Sequence, residues 1–104
     1  MVGHAQMREV THGDIRAAAR ALLMRPESAW HALMAQMLSE AHLADLYRRR
    51  SGRCHPRLGN GTLMSAAFAL HTAPEPPASD ARYLCAMGHV IVAVIEWRQR
   101  LAAE

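Results

Sequence analysis

The sequence predicts an all-α fold, a small bundle of about four helices, from its composition and from the spacing of its apolar residues. Of the 104 residues, 51% are apolar and 20% are charged, which is typical of a folded globular domain. Alanine supplies 20 of the apolar residues and aromatic residues only five, which favours closely packed helices over a β-sandwich. A chain of this length forms one domain, so we treat residues 1–104 as a single α-helical domain. Its opening, MVGHAQ, lacks apolar periodicity, and we expect residues 1–7 to be disordered or to be a remnant ahead of the natural start.

The first half of the chain contains two predicted helices. The first begins at about His12 or Asp14 and ends at Met24, because apolar residues recur at helical spacing from Ile15 to Leu23. Pro26 ends this helix and suits the first turn of the next. The second is one long helix over residues 26–50, ended by Ser51-Gly52, with a predicted ion pair between Asp45 and Arg49.

The second half contains a short helix, a linker and an apolar C-terminal helix. Thr62 is the predicted cap of a helix over residues 63–71, and the proline-rich segment 72–80 is a stiff extended linker. Ser79 or Asp80 caps the last helix, residues 80–101, which is apolar nearly all round between Tyr83 and Trp97. Such a helix lies at the centre of a bundle or is shared with another chain, and we favour an oligomer or a docking groove. The expected interface residues are Trp30, Met34, Met37, Met87, Ile91, Val94 and Trp97.

The positive charge of the chain is concentrated in one segment. All 12 basic residues are arginine, and the net charge is +3. Residues 48–57 carry +5, whereas the segments before and after each carry −1, which argues against a wholly basic nucleic-acid binder. Cations at a helix C-terminus stabilise the helix through its dipole. Arginines can also bind phosphate or carboxylate groups through paired hydrogen bonds. The predicted site for DNA or an acidic partner is therefore Arg48, Arg49, Arg50, Arg53 and Arg57.

No sequence pattern indicates catalysis, a cofactor or a metal. Cys54-His55 and Cys85/His89 lack the spacing of structural zinc ligands, and His12-Gly13-Asp14 fits a turn that leads into a helix cap. The connection at Pro26 is too tight, and the second helix too long, for a helix-turn-helix. With no apolar signal segment, no membrane-spanning run and only two cysteines, we expect a cytoplasmic protein without membrane contact or cofactor.

Three strings resemble one known family. They are THGDIRAAARALL at 11–23, SEAHLADLYRRRSGRCHPRLGNGTLMSAA at 39–67 and APEP at 73–76. Together they are similar to the small alphaproteobacterial proteins encoded just ahead of the large terminase in gene transfer agent clusters, over about residues 7–101. Those proteins are regarded as small terminase subunits of phage-like particles that package host DNA.

The resemblance implies a non-enzymatic adaptor that assembles as a ring, contacts DNA and recruits the large terminase subunit. This chain departs from the phage pattern because it has no clear helix-turn-helix. Weak, non-sequence-specific contact with double-stranded DNA is therefore expected, since phosphate contacts give affinity without sequence information. The alternative is a protein-only helical module, whose apolar groove binds a partner helix and whose arginines meet acidic side chains.

Overall fold

The computed structural model describes residues 7–103, and this part of the chain is a bundle of four helices without strands. The helices are α1 (His12–Leu22), α2 (Trp30–Ser51), α3 (Leu63–Phe68) and α4 (Ala81–Ala103). The predicted fold class, with one long helix and an apolar C-terminal helix, is confirmed. The expectation for residues 1–6 lies outside the described residues, whereas Met7 is described and packs against the core.

Helix α1 begins at a complete capping box. The Thr11 hydroxyl accepts from the backbone N–H of Asp14, and the Asp14 carboxylate accepts from the backbone N–H of Thr11 at 2.8 Å. Asp14 is buried and also accepts from the backbone N–H of Met64 at 2.8 Å. The His12-Gly13-Asp14 string is thus a cap that joins the start of α1 to α3.

The start of the second helix differs from the prediction. Residues Glu27–Ala29 form a 3₁₀ turn after Pro26, and α2 begins only at Trp30. The indole N–H of Trp30 donates to the carbonyl of Leu22 at 2.7 Å, at the end of α1. A tight turn is needed here because it brings this fully buried indole back onto the preceding helix.

Helix α3 is shorter than predicted, and the proline-rich segment is more than a linker. The helix ends at Phe68, and further along Pro74 disfavours helical geometry at Ala73, so that the chain extends there. The backbone N–H of Ala73 donates to the carbonyl of Arg20 at 3.0 Å. The segment between α3 and α4 is therefore bound along α1. Asp80, one of the two predicted caps, accepts from the backbone N–H of Tyr83 and starts α4.

Two aromatic contacts fix the direction of α4 relative to α2. Trp30 packs edge-on against His89 with ring centroids 5.8 Å apart, and His42 packs against Trp97 at 6.1 Å. The two helices therefore run in the same direction. The core between the helices is built around large side chains that are fully buried: Trp30, Tyr83, Leu22, Met34, Met37 and Val90.

Helix α4 lies on the outside of the bundle and has two different apolar faces. One face is buried through Tyr83, Ala86, Val90 and Val94, and the other is exposed. A helix at the centre of the bundle, one of the two predicted positions, is therefore wrong for this chain. Within residues 7–103, no helix is long and apolar enough to span a membrane.

The expected interface residues mostly belong to the chain's own core. Trp30, Met34 and Met37 are at most 1% exposed and Val94 is 9% exposed, because α1, α2 and α4 pack on one another there. Met87 and Trp97 are partly buried against the same core. Of the seven residues, Ile91 has its side chain outside, at 44% exposure, and it shares this outer face with Leu84, Val92 and Ile95.

Candidate nucleic-acid interface

The five predicted arginines all lie at one end of the molecule, on the last turn of α2 and the loop that follows. Arg48, Arg49 and Arg50 occupy the last turn, and Arg53 and Arg57 belong to the loop of residues 52–62. All five are exposed. We call this surface the arginine patch.

Glycine and serine turn the chain sharply at the end of α2. Gly52 adopts a left-handed conformation, φ 74°, and its N–H donates to the carbonyl of Arg48 at 2.7 Å. The Ser51 hydroxyl donates to the carbonyl of Tyr47 and accepts from the backbone N–H of Arg53. These bonds place Arg53 directly beside the end of the helix.

His55 organises the first half of the loop. Its Nδ1 atom accepts from the backbone N–H groups of Arg57 and Leu58, both at 3.0 Å. The His55 ring packs edge-on against Tyr47, with centroids 4.9 Å apart, and the backbone N–H of His55 donates to the carbonyl of Gly59. Arg57 is therefore carried on a closed turn that is attached to α2.

Asn60, Gly61 and Thr62 anchor the second half of the loop. The side-chain carbonyl of Asn60 accepts from the N–H and the hydroxyl of Thr62, at 2.9 and 2.7 Å, just before α3 begins. Gly61 is buried at φ 96°, and a β-carbon there would lie 2.8 Å from the α-carbon of Asp45. Only glycine allows this close approach, which presses the loop against α2.

A buried carboxylate holds two arginines near the patch. Asp45 is 4% exposed and forms the predicted ion pair with Arg49, at 2.7 Å. It also lies 3.6 Å from Arg8, whose guanidinium donates to the carbonyl of Asn60 at 3.3 Å. Arg8, which precedes α1, thus lies beside the patch. Sequence reasoning missed it, because 37 residues separate it from Asp45 and no local spacing links the two.

The remaining arginines of the patch differ in how far they are engaged. Arg48 donates to the carbonyl of Asn60 at 3.5 Å and approaches the sulfur of Cys54 at 3.6 Å. Within residues 7–103, no acidic side chain lies within ion-pair distance of Arg50, Arg53 or Arg57. Three exposed guanidinium groups beside a helix C-terminus can therefore bind phosphate or carboxylate oxygens.

The two cysteine–histidine pairs, Cys54-His55 and Cys85/His89, are far apart. His55 packs on Tyr47 and His89 packs on Trp30, so their neighbours on α2 are separated by about 25 Å of helix. His42 is engaged with the ring of Trp97. Within the described ranges, no group of three or more His, Cys, Asp or Glu residues could hold a metal ion.

A second set of charged side chains lies away from the patch and holds the proline-rich segment. Arg16 forms two hydrogen bonds of 2.6 Å with Glu75, and Glu75 also accepts from the hydroxyl of buried Tyr83 at 2.7 Å. Hydrogen bonds from Arg16 and Tyr83 lower the pKa of Glu75 to about 2. Burial and then the bond to Glu75 raise the pKa of Tyr83.

Comparison with known proteins places the chain in one family. No curated protein and no solved structure matches it. A family model described as a domain of unknown function, DUF7742, matches residues 8–94. This range runs from Arg8 through the arginine patch to most of α4. The chain therefore belongs to the DUF7742 family.

Proposed function

We propose that this protein is a non-enzymatic DNA-packaging adaptor of the small terminase kind. In this proposal it acts in the cytoplasm as a homo-oligomer, holds double-stranded DNA weakly through the arginine patch, and recruits the large terminase subunit. The observation that carries the proposal is the exposure of Arg50, Arg53 and Arg57 without an acidic partner in the described part of the chain. Its resemblance to the small terminases of gene transfer agents supports the choice of DNA as the ligand.

The chemistry of the patch favours phosphate contact over base recognition. Its arginines are carried by the last turn of a helix and by a tethered loop, and the sequence predicts no helix-turn-helix ahead of them. Phosphate contacts fix position and supply affinity, but they carry no sequence information. An adaptor of this kind suits the packaging of DNA without preference for a particular site.

The test is a salt-titrated DNA-binding assay on the chain with Arg50, Arg53 and Arg57 changed to alanine. Each lost phosphate contact lowers the slope of log K against log salt by about 0.9, so the slope should fall by about 3. We expect affinity at low salt to fall by at least about tenfold. The matched single-charge control compares R57A with R25A, because Arg25 is exposed at the far end of the bundle, next to the start of α2.

Two outcomes would overturn the proposal. Binding that does not weaken with salt excludes the phosphate mechanism, and an unchanged triple variant excludes the patch as the contact. Equal losses of DNA affinity in R25A and R57A would mean that binding depends on the net charge and not on the position of the patch. Correct folding of the variants is checked by circular dichroism, since all three arginines are exposed.

The alternative, a protein-only regulator, is favoured by one feature. An open groove of about 390 Å³ lies between the end of α1, the start of α2 and the residues after α3, and it is lined by Ala21, Met24, Leu33 and Leu70. Met24 is 50% exposed there, and an amphipathic helix could place apolar side chains in such a groove. Absence of any DNA complex at low salt, together with retained binding to the large terminase subunit, would establish this alternative.

A further inference from the structure

The outer face of α4 is an uncharged apolar strip. Its members are all exposed: Leu84, Cys85, Gly88, Ile91, Val92 and Ile95. At 3.6 residues per turn these positions fall within about 120° of the helix circumference and extend over about 17 Å. A contiguous apolar strip of this kind marks an interaction surface more often than isolated exposed residues do.

The strip has the pattern of a helix-pairing seam. Positions 84, 88, 91 and 95 alternate in steps of four and three residues, as in the core of a coiled coil, and 85 and 92 lie beside them. Gly88, in the middle, has no neighbouring atom within 4 Å of the place its β-carbon would take. Two helices can therefore approach closely at this point.

One flank of the strip carries charges that complement each other in an antiparallel pair. On this flank Asp80, whose carboxylate also caps α4, precedes the strip and Arg98 follows it. In an antiparallel pair centred near residues 88 and 89, residue 80 faces residue 98 of the second copy, and the helix dipoles also oppose each other. Arg82, at the other side of the helix, is held by the carbonyls of Leu23 and Arg25.

We propose that the outer face of α4 binds a second copy of this chain, in an antiparallel, two-fold symmetric pair. A parallel pair would also place opposite charges on its flanks, but it would bring the two arginine patches to the same end. The contact of His42 with Trp97 shows that the C-terminal half of α4 lies toward the end of α2 that carries the patch. Antiparallel pairing keeps the two patches at opposite ends, which avoids repulsion between like charges.

This inference deepens the oligomeric part of the proposed function, and it can fail or hold independently of DNA binding. A two-fold contact is closed by two copies, so it makes the dimer the unit of assembly. The area of the apolar strip is small compared with the roughly 800 Å² that each partner buries in a standard interface. The dimer should therefore dissociate on dilution.

The pairing is tested by disulfide trapping in a chain with C54S and C85A. G88C should form a covalent dimer under mild oxidation, because residues near the two-fold axis lie within disulfide reach. L84C should not, because two copies of residue 84 are then about 15 Å apart along the axis. Q36C, an exposed position on α2, is the control for random collision. Trapping of L84C as strongly as G88C would establish a parallel pair and overturn the proposal, as would trapping of none of the three.

The second measurement is the mass in solution by light scattering over a range of protein concentrations. The wild-type chain should reach the dimer mass, whereas V92E should stay monomeric at every concentration, because a carboxylate would be buried in the strip. Val92 is 54% exposed in the single chain, so V92E should still fold. A monomeric wild-type chain, or V92E with the wild-type mass, overturns the pairing. The triple arginine variant should dimerise like the wild type, and loss of DNA binding there separates the two proposals.

Discussion

Arginine is used in two different ways at the two ends of this molecule. At the end where α1 meets α2 and α4, the guanidinium groups are bound within the fold. Arg82 donates to the carbonyls of Leu23 and Arg25 and lies over the ring of Trp30, and Arg16 is paired with Glu75. At the other end, Arg50, Arg53 and Arg57 are exposed and have no acidic partner in residues 7–103.

The partner, and not the residue type, decides what each of these arginines does. An arginine bonded to helix-end carbonyls replaces hydrogen bonds that the helix cannot make itself. An arginine at a helix end without such a partner adds charge that a ligand can use. Substitutions at the two ends should therefore separate into losses of stability and losses of binding.

The largest expected loss of stability comes from G61A. The new methyl group would meet the backbone of Asp45, and alanine disfavours the φ of 96°. Strain and overpacking together should lower the free energy of unfolding by about 3 kcal/mol. Urea unfolding followed by circular dichroism measures this effect.

G52A is the matched control for backbone strain alone. Gly52 also has a positive φ, but its surroundings are open, so the cost should be about 1 kcal/mol. Equal costs for the two variants would mean that the patch loop is not pressed against α2. The arginines of the loop would then not be held in fixed positions, and the contrast between the two ends would weaken.

The next largest effect is expected from R82M, compared with R57M. Loss of two hydrogen bonds to carbonyls and of the contact with Trp30 should cost about 2 kcal/mol. R57M removes an equal charge from a surface without such contacts, so its cost should stay within about 0.5 kcal/mol. Both values come from urea unfolding. A stable R82M variant, or a destabilised R57M variant, would contradict the assignment of the two ends.

The elements and the five clustered arginines of the patch could be predicted from the sequence because they depend on local spacing. The Thr11 cap, the Asp45–Arg49 pair and the turn at Gly52 all act within four residues or fewer. Arg8 and the contact of Gly61 with Asp45 could not be predicted, since both arise from packing between distant segments.

The two faces of α4 could not be predicted either. Both faces are apolar, and periodicity does not indicate which of two apolar faces the core will cover. The core takes Val90 and Val94 and leaves Val92 outside. The prediction therefore placed Val94 at an interface together with Ile91, although Val94 packs inside the chain.

The smallest expected effect concerns pH and the Arg16–Glu75 pair. The pKa of Glu75 is about 2 in the folded chain, below its ordinary value of 4.5. Its stabilisation is therefore complete above about pH 4.5 and is lost as the pH falls toward 2. Thermal melting between pH 5 and pH 2 should show a decrease in Tm that is shallower in E75Q. E9Q, at another exposed carboxylate, should keep the wild-type slope.

Salt separates this exposed pair from the buried contacts at the same end. The Arg16 and Glu75 side chains are 56% and 34% exposed, so the pair is screened at high ionic strength. At 0.5 M NaCl the Debye length is about 4 Å. The difference between the wild type and E75Q in the decrease of Tm with pH should then become smaller. A difference that persists in salt would mean that the bond from Tyr83 to Glu75, and not the ion pair, holds the proline-rich segment on α1. The bound end of the molecule would then depend on a buried hydroxyl, and its contrast with the arginine patch would be one of burial and not of charge pairing.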